Sequence, residues 1–80
     1  SKIYNFGLKN LYNINLDQTI LDDQVFEKLK SLYLSGKLRS IQTDIFKNFN
    51  SLNEINLKMY NFKNFFHKIG IEWMTYLNYN

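Results

Sequence analysis

Leu29-Lys-Ser-Leu32-Tyr-Leu34 opens the segment on which the fold turns, LKSLYLSGKLRSIQTDIFKNFNS at residues 29–51. The form L-x-x-L-x-L returns at Leu52-Asn-Glu-Ile55-Asn-Leu57 and stands earlier at Leu11-Tyr-Asn-Ile14-Asn-Leu16. A weaker version, Met74-Thr-Tyr-Leu77-Asn-Tyr79, lies at the C-terminus. Units starting near 11, 29, 52 and 74 are spaced by 18, 23 and 22 residues. The paired apolar residues at the end of each tract have the period of two that suits a strand. Between tracts the period changes. Leu38, Ile41, Ile45, Phe46 and Phe49 follow Leu34, and Phe62, Phe65, Phe66, Ile69 and Ile71 follow Leu57. Intervals of three and four fit a turn-rich or short helical return. A unit that switches period in this way cannot close a core alone, whereas stacked neighbours can.

These features make the chain resemble the leucine-rich repeat family over about residues 8–80, as a single domain fragment spanning 1–80. The Ile45-Phe46-x-x-Phe49 end of the best unit is similar to the phenylalanine-containing return of repeats in animal extracellular proteins. The sequence departs from that family in two ways. Lys37 and Tyr60 stand where an Asn normally ladders the turn after the strand, and Cys-rich caps are absent. The resemblance implies an α/β solenoid, a leucine-rich repeat coil with a short parallel sheet on its concave face and irregular or short helical returns.

A helical reading competes for the same residues. DQVFEKLKSLYL at residues 23–34 lays Val25, Phe26, Leu29, Leu32 and Tyr33 on one helix face, with Asp23 as cap and Gly36 as stop. Residues 43–57 allow the same, capped by Thr43 or Asp44. The tracts recur in register behind Phe-x-x-Phe/Leu, and independent helices have no reason to do that. The repeat is therefore the reading adopted.

If the tracts are strands side by side, Leu and Ile point inward and the alternate residues point to solvent. The outward residues form lateral rows: Asn13, Ser31, Glu54 and Tyr76; Asn15, Tyr33, Asn56 and Asn78; Asp17, Ser35, Lys58 and Asn80. Small polar groups with Tyr33 and Tyr76 among them suit a contact surface, since Tyr supplies rigid area and Asn and Ser supply adaptable hydrogen bonds. Polar residues also face water on any half-exposed sheet. As a surface, the concave face is nevertheless where a solenoid binds.

Composition narrows the function classes. Zero Cys excludes a disulfide framework and thiolate metal sites, and a single His, His67, argues against a zinc centre. No cofactor is expected. Catalysis has little to work with, because His67 would have to serve every nucleophile and lies in the apolar run Phe65-Phe66-His67-Lys68-Ile69, where a partly buried packing role is expected. Asp22-Asp23 reads as a loop or cap rather than an acid–base pair. Gly7, Gly36 and Gly70 are isolated and make no phosphate cradle. Ten Lys and Arg against seven Asp and Glu give +3, too weak and too scattered for a nucleic-acid surface, and nine of the ten are Lys. The aromatics from Phe62 to Tyr79 match buried repeat positions better than a base-stacking platform, with Trp73 as an end-cover.

Without a long apolar run the segment makes no membrane contact. Opening on Ser1 rather than Met, and lacking a signal-peptide core, it reads as a piece of a longer chain. The expectation is a non-enzymatic module binding a protein ligand, part of a receptor-like or secreted chain, extracellular or at the cell surface. Absence of Cys leaves the cytoplasm open, and the sequence is silent on oligomeric state. The rival is a small helical module that binds a partner helix or nucleic acid through Lys and aromatic residues.

Overall fold

Leu32, Leu34, Gly36 and Leu38 are buried while Ser31, Tyr33, Ser35 and Lys37 between them are half-buried, and this alternation builds the middle strand of a parallel sheet. The computed structural model describes residues 2–60 and 62–76. In it, β1 spans Asn5–Leu16, β2 Ser31–Ile41 and β3 Glu54–Met59, in the order β1-β2-β3. A helix, α1 (Phe62–Ile69), and a 3-10 helix (Glu72–Tyr76) follow. The fold is therefore a small three-stranded parallel sheet with little helix. Residues 23–28 and 43–48 form turns, so the helices that were the alternative for 23–34 and 43–57 are replaced by turns leading into strands.

Ser31, Leu32, Tyr33 and Leu34 pair with Glu54, Ile55, Asn56 and Leu57, the register expected from the two matching tracts. β1 corrects the expectation. Asn5, Phe6, Gly7 and Leu8 pair with Ser31 to Leu34, so the first counterpart of Leu29–Leu34 is Ile3-Tyr-Asn-Phe6-Gly-Leu8, not Leu11–Leu16. The starts become Ile3, Leu29 and Leu52, spaced by 26 and 23. Two contacts fix this register. The Tyr4 carbonyl accepts from the Lys30 and Ser31 N–H groups at 2.7 and 3.1 Å, and the Phe6 ring meets Phe26 at 4.7 Å between centroids.

Leu11, Ile14 and Leu16 pair instead with Gly36, Leu38 and Ile41, as a continuation of the same long strand. Asn10 and Asn13 take φ of 60° and 53°, and the register shifts at these points. Asn tolerates the left-handed region better than most residues, so these two positions let β1 bend around the core. The fourth tract does not form a strand within the described residues, because Met74, Thr75 and Tyr76 lie in the 3-10 helix. Its remainder, residues 77–79, lies outside them.

The residues at three- and four-residue spacing are buried after Leu34 but only in part after Leu57, where Phe65 is buried, Phe66 and Ile69 are half-buried and Ile71 is exposed. Leu38, Ile41, Ile45, Phe46, Phe49 and Leu52 all join the core with Leu16, Leu21, Phe26 and Leu29. Each such side chain contributes roughly 1.5–3 kcal/mol. Backbone hydrogen bonds hold the turns: the Asp17 carbonyl accepts from Leu21 N–H at 2.9 Å, and the Phe26 carbonyl from Leu29 N–H at 2.9 Å. Asp22 Oδ1 accepts from the N–H groups of Gln24 and Val25 at 2.8 and 3.1 Å. The local capping role therefore falls to Asp22, while Asp23 accepts from the Asn48 side chain at 2.7 Å and ties one return to the next. After β3, Trp73 is buried against Phe46 with Phe65 beside it, so Trp73 covers that end of the core.

Candidate outer sheet face

The buried alternation of β2 forces its other residues outward, and pairing extends them into rows across three strands. The first row is Asn5, Ser31 and Glu54, and the second is Gly7, Tyr33 and Asn56. Next, Ser35 pairs with Lys58 and its hydroxyl accepts from the Asn10 N–H at 3.2 Å, which brings Lys9 beside it where β1 shifts register; Tyr12, Lys37 and Tyr60 follow. The members on β1 and those at 54–60 are exposed, and those on β2 are half-buried. Two observations place the last row: the Tyr60 N–H donates to the Gly36 carbonyl at 2.9 Å, and Lys37 Nζ stands 5.8 Å from the centre of the Tyr12 ring.

Six of the residues singled out from sequence are brought together here: Ser31, Tyr33, Ser35, Glu54, Asn56 and Lys58. The shifted register of β1 separates the others. Asn13 is a half-buried bend residue of β1. Asn15 pairs with Ser40 and accepts from its hydroxyl at 2.7 Å. Asp17 begins a return, where its Oδ1 accepts from the Thr19 N–H at 3.0 Å and the Thr19 hydroxyl at 2.5 Å. These bonds hold the Asp17 carboxyl below the usual value, the Thr19 hydroxyl having the largest effect. Tyr76 belongs to the 3-10 helix rather than to a strand, and Asn78 and Asn80 lie outside the described residues.

Their places on the face are taken by Asn5, Gly7, Lys9 and Tyr12, and by Lys37 and Tyr60 one row further on. Lys37 and Tyr60 had a signal in the sequence. They continue the outward alternation of their strands.

The rows differ in chemistry. In the first, the Ser31 hydroxyl donates to Asn5 Oδ1 at 2.5 Å, and Glu54 accepts from Asn56 Nδ2 at 3.1 Å. In the second, Tyr33 borders Gly7, where an added Cβ would meet the Tyr33 Cβ at 3.5 Å and Cδ1 at 3.7 Å. The last two rows carry three lysines and two exposed tyrosines. Beside them a cleft of about 210 Å³ separates the ends of β2 and β3 from α1, lined by Lys37, Met59, Tyr60, Asn64, Phe65 and Lys68 among others.

His67 is exposed on the last turn of α1 rather than packed, as the sequence had suggested. Among the described residues no group of three or more His, Asp or Glu side chains is placed to hold a metal ion, and no helix is long and apolar enough to cross a membrane. The face carries one half-buried ring near its centre, Tyr33, with hydrogen-bonding groups on both sides of it. No protein-family model, no curated protein and no solved structure matches this chain.

Proposed function

We propose that this chain is a segment of a leucine-rich-repeat-like solenoid that recognises a protein ligand through its outer sheet face, without covalent chemistry. It would serve as part of a larger receptor-like or secreted chain, outside the cell or at its surface. The observation carrying this reading is the sheet's asymmetry. Parallel sheets are commonly buried on both faces, yet here one face packs on the core while the other presents polar and aromatic rows in register. The return spacing of 23 residues between the two best units, with its buried Phe46 and Phe49, supports the repeat assignment. Repeat coils use such an extended face for binding.

Site-specific photo-crosslinking tests the reading. With a benzophenone side chain at Asn56, in the middle of the face, a protein adduct is expected that excess unlabelled chain competes away. The same group at Val25, exposed on a return, gives none. Equal adducts from both positions, or adducts from Val25 alone, would exclude the face as the binding surface.

A further inference from the structure

The outer face is polar at one end and cationic at the other. Lys9 and Lys58 flank Ser35, and Lys37 stands in the next row between Tyr12 and Tyr60. Lys68 joins Lys37 on the wall of the adjoining cleft. The ion pairs of the described residues lie elsewhere: Lys2 with Glu27, and Lys47 with Asp44. Among the described residues, Lys37 is placed over the Tyr12 ring, a cation–ring contact rather than an ion pair. Glu54, the acidic residue of the face, is four residues up β3 from Lys58, about 13 Å away.

Lys58 pairs with Ser35, and the Asn10 N–H, next to Lys9, donates to the Ser35 hydroxyl at 3.2 Å. Lys9 and Lys58 therefore stand on either side of β2, two strand spacings or ~10 Å apart, with Lys37 offset between them. Like charges at this distance, close to the screening length of about 8 Å in physiological salt, leave a local positive potential. We infer that these two rows and the cleft beside them take an acidic peptide segment of the protein ligand, laid across the strand ends. This rests on the sheet-face reading above and specifies the chemistry of the ligand. An extended peptide advances about 3.3 Å per residue and shows alternate side chains on one side, so carboxylates two and four residues apart, about 7 and 13 Å, bracket the distance from Lys9 to Lys58. Tyr12 and Tyr60 add exposed ring area on either side of Lys37.

A nucleic acid fits less well. Its affinity comes from many phosphate contacts, on the order of six to ten, and the site offers four lysines, with Glu54 at the far end of the same face.

The test is an amide NMR titration of the 80-residue chain. The probes are an octapeptide of alternating Glu and Gly, the same peptide with Lys for Glu, and octathymidylate. The Glu peptide is expected to shift Lys9, Tyr12, Lys37, Lys58 and Tyr60 and to leave Lys28 and Lys47 unmoved. Lys9→Gln and Lys58→Gln, both exposed and outside the core, should each weaken binding about two- to fivefold. Shifts of equal size at Lys28 and Lys47, tighter binding of octathymidylate, or unchanged affinity in the double variant would overturn the inference. A competed adduct at Asn56 alongside a silent Glu-peptide titration would remove the acidic ligand and leave the sheet face standing. A loss of both would remove both.

Discussion

Gly36 faces the backbone of Leu11 so closely that a Cβ added there would lie 2.9 Å from the Leu11 Cα and nearer still to its nitrogen and carbonyl oxygen. Gly36 also has φ of +118°, where side chains are strained whatever the space. This is the point at which β1 shifts register and bends past β2. Gly36→Ala is therefore expected to cost about 3 kcal/mol or more, because neither backbone can move aside. Gly7→Ala is the matched control: its added Cβ meets Tyr33 at ordinary contact distance, and a change under about 1 kcal/mol is expected. Urea denaturation of the two variants checks this. Equal losses would show that the approach of Gly36 to Leu11 is not what makes glycine necessary.

Why the middle of the sheet was legible in the sequence and its first edge was not comes down to what sets register. Between β2 and β3 the inward residues are Leu32, Leu34, Ile55 and Leu57, with one spacing and no competitor. In β1, two tracts satisfy the same pattern: Ile3, Phe6 and Leu8, and Leu11, Ile14 and Leu16. Both face the core, because Asn10 and Asn13 adopt left-handed backbone and turn the strand. Periodicity counts apolar residues but does not see a bend, so it took the tract with better leucines. The contact between Phe6 and Phe26 decides the matter, and it joins residues that no local pattern connects. For the same reason Lys9 and Tyr12 were passed over as face residues. The fourth tract failed differently: Trp73 is drawn into the core beside Phe46, and the chain around it takes up a 3-10 turn.

That aromatic cluster gives a second prediction. Trp73 is buried, edge-on to Phe46 at 6.0 Å and stacked on Phe66 at 6.3 Å, and its indole N–H donates to the Gly70 carbonyl at 2.9 Å. Phe46→Ala should destabilise by roughly 3–5 kcal/mol and open a cavity beside the indole. The emission of the single Trp should then shift to the red and become accessible to acrylamide. Val25→Ala, at an exposed return position, should leave both unchanged. Unaltered emission in Phe46→Ala would mean that Trp73 does not cover this end of the core.

Acid should weaken the fold through three carboxylates on the returns, Asp17, Glu27 and Asp44. Hydrogen bonds from Thr19 lower Asp17; a hydrogen bond from Lys2, then its charge, lowers Glu27; and Gln42 followed by Lys47 lowers Asp44. Each folded-state value lies below the unfolded one, so the stabilisation is complete above the unfolded values of 3.8 for Asp and 4.5 for Glu. It is lost as pH falls past those values and through the lower folded ones. Urea midpoints should therefore show no loss from these groups between pH 7 and 5 and should fall below about pH 4.5. Asp17→Asn and Asp44→Asn should flatten the fall. A decline already finished at pH 5 would assign acid sensitivity to other groups.

The register of β1 can be tested covalently. The Ser31 hydroxyl bonds the Asn5 side chain, and the two residues are Cα partners on neighbouring parallel strands. Strands about 4.8 Å apart bring such partners within the 4.4–6.8 Å between Cα atoms that a disulfide requires. Both side chains point out from the sheet, so the pair Asn5→Cys with Ser31→Cys should close under mild oxidation without disturbing the core. Asn13→Cys with Ser31→Cys should stay reduced. Asn13 lies beyond the pairing of Leu11 with Gly36, five residues along β2 from Ser31 and about 16 Å away. Non-reducing peptide mapping distinguishes the two. Closure of the Asn13 pair alone would restore Leu11–Leu16 as the first repeat tract. Asn13, Asn15 and Asp17 would then return to the face in place of Asn5, Gly7 and Lys9, and the cationic rows would lose Lys9.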